Sequence, residues 1–335
     1  MRVRWLKYVL IVLLNFIIWV IYTNIHMRWK EIPCNYSMPN TLFHAKKENN
    51  FPIFSILSPP LNKGIFLLET SGRNYLNPKE LCALESAAKN NPNRQIYYLL
   101  TNIELKVYPA LNSLLDTYFN INVVGIELSS FFLRTPMEYL WFHNKIQNSK
   151  HKVSHLSDVL RFLIIATYGG TYLDSDIIVL KEFPTHFNFA GVEHVEKPFV
   201  VAVGIFHFSK NHTIINRCVN HMAKNFNGDS WSHNGPFLMT NTVKNICNFE
   251  TMEEINNSNC YEIKLLSPEE CYPIYYKDWE FYFNPLKNDH VRRSLKDSYI
   301  AHLWGKFSSD VPINKNTTLF ELANNNCPIV AKNYL

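Results

Sequence analysis

The chain has 335 residues, 47% of them hydrophobic and 14% aromatic, enough to fill a sizeable core in one large or two ordinary domains. Its formal charge is +5, but residues 1–30 hold five bases (Arg2, Arg4, Lys7, Arg28, Lys30) and no acid. Of the 33 basic side chains, 28 are left to balance the 28 acidic ones, so the body carries no net field for nucleic acid.

The basic residues flank the apolar segment Tyr8–Ile25, "YVLIVLLNFIIWVIYTNI", in which Asn15, Thr23 and Asn24 are the clearly polar members. A helix needs about 17–25 such residues to cross a bilayer, so the segment just suffices. A cleaved signal peptide would have a shorter apolar core and small residues at its end, whereas here Ile, Trp and Tyr continue to the last turn. A signal anchor is therefore expected. Three bases precede it and two follow, which places the N-terminus in the cytosol and the body in the lumen. The short span suits the thinner membranes of the early secretory pathway. The expected organisation is a tail at 1–7, an anchor at 8–25, a stem at 26–63 and a folded body at 64–335. Four N-glycan acceptor patterns, at Asn35, Asn211, Asn256 and Asn316, fit a luminal body. So do seven cysteines without zinc-like spacing, Cys34, Cys82, Cys218, Cys247, Cys260, Cys271 and Cys327, which read as disulfides with at least one left over. Cys247 with Cys260 is the expected local loop.

After the proline-dotted stem, "GIFLLETS" predicts a strand over Ile65–Glu69. "NPKELCALESAAKNNP" predicts a helix opening at Pro78. "QIYYLL" is a buried strand, a helix follows around Leu111–Tyr118, and "INVVGIEL" is a third strand. This alternation predicts an α/β fold with a largely parallel sheet wrapped by helices. Apolar residues at helical spacing after Ser157 predict a helix ended by Gly169–Gly170, followed at once by a strand "TYLDSD". "FVVAVGIFHF" is β-like, helices resume near Thr213 and after "SHNGP", and "SYIAHLWGK" reads as a strand leaving His302, Trp304 and Lys306 near its end.

On a strand, Asp174 and Asp176 would face the same side. Like charges so close are stable only if solvated or if a cation sits between them. At the carboxyl end of a strand in an open sheet, oxygen ligands suit Mg²⁺ or Mn²⁺, and the ion can neutralise a departing diphosphate. Asp-x-Asp alone is a weak motif, equally at home in a solvated turn. Asp158 and Arg161 share a helix face, either as an intrahelical salt bridge or as groups gripping a sugar.

Taken together and in order, "FLLETS", "SDVLRFLIIATYGGTYLDSDIIVLK", "SHNGP", "CYPIYYKDW" and "AHLWGK" resemble the α-1,4-glycosyltransferase family over about Ile65–Leu335. The resemblance implies a GT-A, Rossmann-like fold, type II Golgi topology, Mn²⁺ ahead of Mg²⁺, and retention of anomeric configuration. It also implies UDP-galactose or a UDP-N-acetylhexosamine as donor, and a glycan acceptor, foremost a glycolipid such as lactosylceramide. It assigns Asp174, Asp176 and His302 to the metal, and Glu69, Thr70, Ser71, Asp158, Arg161, Tyr172, Trp304 and Lys306 to the donor. It also places Asn234 at the reacting carbon, where family members carry a glutamine one methylene longer. Homo- or hetero-oligomers are compatible with this reading. The rivals are a luminal glycan-binding protein that has lost the chemistry and a phosphate-transferring enzyme sharing the metal logic.

Overall fold

The computed structural model describes residue 54 and residues 59–104, 106, 108–196, 199–249 and 251–335. All belong to the unit Asn40–Leu335. The expected tail, the anchor Tyr8–Ile25, nearly all of the stem, Cys34 and Asn35 lie outside the described residues. Among those described, no helix is long and apolar enough to cross a membrane.

The N-terminal half builds as its pattern predicts. β1 (Ile65–Glu69), β2 (Ile96–Leu100) and β3 (Ile121–Gly125) are five-residue strands, the first two buried throughout because helices cover both faces of the sheet. Between the first two, α1 (Pro78–Asn90) starts at an Asn77 capping box closed by Glu80, with Pro78 in the first turn. α2 (Pro109–Thr117) joins β2 to β3. α3 (Lys152–Tyr168) begins five residues before Ser157, without a side-chain cap. Burial of its Val159–Ile165 face against the sheet, not a capping signal, carries this extra turn.

β4 (Gly170–Leu173), β5 (Ile177–Val179), β6 (Asn188–His194) and β7 (Val200–Phe208) follow, then α4 (Thr213–Asn225), α5 (Leu238–Cys247), β8 (Ile263–Leu266) and β9 (Ile300–His302). The main sheet has the order β3-β2-β1-β4-β7-β6-β8. β3, β2, β1 and β4 run parallel, β7 is antiparallel to both β4 and β6, and β8 is parallel to β6. The sheet is thus mixed, though most of its pairings are parallel. Alternate side chains feed two cores: Phe66, Leu68, Tyr97 and Leu99 pack with α3, and Ile65, Leu67, Tyr98 and Leu100 pack with α1.

The second core also receives α6 (Thr318–Asn326) and α7 (Pro328–Tyr334). A disulfide from Cys82 to Cys327 ties them to α1, and Glu85 of α1 accepts from Ile329 N and Val330 N at the start of α7, both at 2.9 Å. Cys247 and Cys260 are bonded as expected, while Cys218 and Cys271 are free and buried.

Candidate active site

The turn from α3 into β4 rests on two glycines with positive φ, +66° at Gly169 and +109° at Gly170. A Cβ on Gly170 would stand 2.4 Å from the Gly64 carbonyl, so no other residue lets the chain reverse here against β1. β4 then runs for four residues and stops at Leu173. The expected strand through Asp176 does not form. Asp174–Asp176 make a tight turn, with Ile177 N donating to Asp174 O at 3.3 Å, so a turn and not strand alternation sets the two carboxylates side by side.

The turn leads into β5, which pairs with β9 in antiparallel register, Ile177 opposite His302. This pairing carries an imidazole from 126 positions along the chain to the carboxylates. His302 Nε2 lies 3.8 Å from Asp174 Oδ2 and 3.6 Å from Asp176 Oδ1. One ligand atom from each of the three lies within 4.8 Å of the others, the one cluster of this kind among the described residues. Two carboxylate oxygens and one imidazole nitrogen form a donor set that fits Mn²⁺ or a similar divalent cation. Burial alone would lower the His302 pKa, but Asp176 first and then Asp174 and Glu193 hold it above the ordinary imidazole value.

Arg161, buried on α3, organises the other side. Its guanidinium lies 3.0 Å from Asp174 Oδ1 and 3.4 Å from Asp158 Oδ1. It donates to Val203 O at 2.7 Å and Ser157 Oγ at 2.8 Å, and it sits over the Tyr172 ring at 4.5 Å. Tyr172 Oη donates to Asp174 Oδ1 at 2.8 Å. Burial would raise the Asp174 carboxyl, yet Arg161, with help from His302 and Tyr172, pulls it below the usual range. Asp158 goes the other way: burial, with Asp174 adding to it, pushes its carboxyl up to about 7 against the opposing pull of Arg161. Two aspartates on one arginine therefore have opposite protonation tendencies, as expected where environment assigns different roles.

The remaining candidates divide. Gly305 N donates to Asp176 Oδ2, and Leu303 N donates to Asp176 O at 2.9 Å, so the "HLWGK" segment closes over the turn. Trp304 packs with Tyr272 and His302, and its indole donates to Ile274 O at 2.9 Å. Lys306 Nζ lies 4.2 Å over the half-exposed ring of Trp231, which joins this segment to the loop before "SHNGP". Within that loop the Asn234 amide is taken up by the backbone of Asn227, accepting from its N–H at 3.0 Å and donating to its carbonyl at 2.7 Å. Its neighbour Gly235 is the residue that meets Asp158, where a Cβ would stand 2.9 Å from Oδ1. At the end of β1, Glu69 accepts from Ser71 N at 2.9 Å, Gly72 N at 3.1 Å and Arg73 at 3.3 Å, and thereby folds its own loop. Thr70 Oγ1 donates to Val153 O at 3.0 Å, and Ser71 Oγ receives Arg73 Nε at 2.9 Å.

Sequence reasoning missed several residues of this region. Arg73 bridges Glu69 and Glu80. Lys79 donates to the carbonyls of Ser308 and Val311 just after Lys306, and burial draws its pKa down to about 8 while Asp310 and Asp176 oppose the shift. The charge of Glu193 is felt by His302. Each stands in ordinary helix, loop or strand sequence, without a motif to mark it.

Residues 207–334 match the family described as the alpha 1,4-glycosyltransferase conserved region. Residues 77–193 match the glycosyltransferase sugar-binding region containing the DXD motif. A lactosylceramide 4-alpha-galactosyltransferase of Mus musculus is 28% identical over 282 residues, covering 83% of this chain and 74% of that protein. An alpha-1,4-N-acetylglucosaminyltransferase of Homo sapiens is 28% identical over 279 residues, covering 79% of each. Among solved structures, the PaToxG glycosyltransferase covers 61% of this chain and 75% of its own at 19% identity, with a TM-score of 0.44.

Proposed function

We propose that this chain, a UDP-sugar-dependent hexosyltransferase carrying both the α-1,4-glycosyltransferase and the DXD sugar-binding regions, moves galactose in α-1,4 linkage onto a terminal sugar of a glycosphingolipid, with retention. The observation that carries the reading is the convergence of Asp174, Asp176 and His302 beside the Asp158–Arg161 pair, groups drawn from both regions. A pure glycan-binding protein has no need of a metal that neutralises a diphosphate. Of the two named relatives, one is a galactosyltransferase and one an N-acetylglucosaminyltransferase. An N-acetylhexosamine donor is accordingly the second reading.

In this scheme the fold is of GT-A type, and the site lies at the carboxyl end of β4, where open sheets hold nucleotides. Asp174, Asp176 and His302 would hold a divalent cation, Mn²⁺ in preference to Mg²⁺, which when bound would neutralise charge on the departing diphosphate. Arg161 holds Asp174 in its ionised form. Asp158, whose carboxyl burial pushes up to about 7, can accept from or donate to a donor-sugar hydroxyl. We assign no covalent nucleophile: the acceptor hydroxyl would enter on the face from which UDP departs, form the new bond as the bond to UDP breaks, and pass its proton to a β-phosphate oxygen of the departing UDP. The protein contributes positioning and electrostatics. The catalytic body is luminal on a Golgi type II anchor, so that it meets lipid-borne acceptors at the membrane surface.

A donor screen tests this: full-length protein in detergent with each UDP-sugar and Mn²⁺, scored by UDP release with and without lactosylceramide. Galactose transfer, removable by α-galactosidase, is expected. Release from UDP-glucose alone, or a β-linked product, would overturn the assignment. For topology, protease added to sealed microsomes should leave the body intact, and its digestion without detergent would refute the luminal placement.

A further inference from the structure

Two residues beside this site have no part in the scheme above, Gly204 and Tyr272. Gly204 lies within β7, and its carbonyl accepts from Asp174 N at 2.8 Å, so it stands directly across from the first carboxylate. A Cβ built there would be 2.9 Å from Asp174 Oδ2, 3.0 Å from the Tyr272 hydroxyl and 3.3 Å from His302 Nε2. Gly204 is not among the residues with positive φ, so space, not backbone conformation, demands glycine. A carboxylate oxygen, an imidazole nitrogen and a phenol thus close in on Gly204, too near one another to admit a methyl group.

Tyr272 follows Cys271 and is 3% exposed. Its ring packs against both His302 and Trp304, with centroids 5.5 and 5.8 Å away. Among the described residues its hydroxyl makes no hydrogen bond of full geometry, although the Ile205 backbone lies near enough to act on it. Buried hydroxyls nearly always have a partner, and one aimed at the cation cluster calls for an explanation. Burial, and after it the acidic neighbours Cys271, Asp174 and Glu193, keep the phenol protonated, so it offers a donor.

We propose that Gly204 and Tyr272 complete the donor pocket: the glycine lets Asp174, His302 and the Tyr272 hydroxyl draw together, and that hydroxyl donates to an anionic oxygen of the diphosphate. The inference rests on the UDP-sugar reading. A phenylalanine at 272 would fill the same space and lack only the donor, and a methyl group at 204 would push Asp174, Tyr272 and His302 apart.

The test is binding, not turnover. Full-length protein in detergent is titrated by calorimetry with UDP and with UMP at saturating Mn²⁺, and separately with Mn²⁺ alone. Tyr272→Phe should bind UDP about tenfold more weakly, the effect of one hydrogen bond to a charged oxygen, with Mn²⁺ affinity and melting temperature unchanged. Loss for UDP alone assigns the oxygen to the β-phosphate, and equal loss for UMP assigns it to the α-phosphate; both support the proposal. Gly204→Ala should lose Mn²⁺-dependent UDP binding more severely. Unchanged UDP affinity in Tyr272→Phe overturns the proposal, as does a loss already present with Mn²⁺ alone, which would mean a contact to water on the cation. Wild-type protein that binds no UDP would overturn the donor reading itself and this inference with it.

Discussion

Asp174→Asn and Asp176→Asn remove the same charge two residues apart, yet the structure predicts different consequences. Both should lower kcat/KM with UDP-galactose by about 100-fold or more, because each loses a charged oxygen at the cation, a loss of roughly 3 kcal/mol in transition-state stabilisation. Stability separates them. Asp174 pairs with buried Arg161 at 3.0 Å and accepts from Tyr172 at 2.8 Å. Loss of a charge-assisted hydrogen bond costs about 1.5–3 kcal/mol. Part returns because Asp174 no longer repels Asp158, which can still balance Arg161 at 3.4 Å. A net destabilisation of about 1–2 kcal/mol remains, or about 3–6 °C in melting temperature for a domain of this size. Asp176 instead accepts the Gly305 amide, which an asparagine oxygen also can, and has no arginine partner. Its variant should melt within about 2 °C of wild type. The assay is thermal unfolding in EDTA alongside UDP-release kinetics in Mn²⁺. Equal melting temperatures for the two variants would refute a stabilising Arg161–Asp174 pair, and normal turnover of either variant in chelator would refute the metal site.

Three further outcomes are expected. The Asp158 carboxyl, pushed up to about 7 from an ordinary 3.8, keeps a proton in the native state that the unfolded chain has already released, so its contribution lowers stability as pH rises between those values. In EDTA, the melting-temperature difference between Asp158→Asn and wild type should therefore shift in the variant's favour from pH 5 to pH 8, and a constant difference would refute this. If the body is luminal, Asn211 and Asn316 are exposed and should carry glycans, whereas the Asn256 amide is engaged with Leu265 N and O at 2.7 and 2.9 Å; a glycan-sized mass loss in Asn256→Gln would contradict the arrangement. Cys82→Ser should cost about 2–5 kcal/mol, since the bond to Cys327 closes a separation of 245 residues. A melting temperature insensitive to both this change and a reductant would rule that out.

Much of the fold was legible because local signals and burial agree in it. Ile65–Leu68 is an unbroken apolar run that Glu69 ends, and the α1 start at Asn77–Pro78–Glu80 carries its own capping chemistry, so both elements stand where their residues predict. The α3 start did not, because tertiary packing extends that helix without a cap. In the site, Asp158 and Arg161 were readable as a pair, since a helix places residues three apart on one face. That Asp174 and Asp176 belong together was also readable, but the geometry that joins them was not: the strand ends three residues early and a turn sets the carboxylates side by side. Arg161 bridging to Asp174, His302 reaching the carboxylates and Gly204 making room beside Tyr272 depend on strand pairings and helix packing across tens to more than a hundred residues. Sequence periodicity reports which face of an element is apolar, and capping and turn residues report where it begins and stops. The sequence alone therefore determined an α/β body and the residues able to do its chemistry. Which of them meet was decided by the tertiary structure, because register and packing are set by the sum of many weak contacts between distant segments.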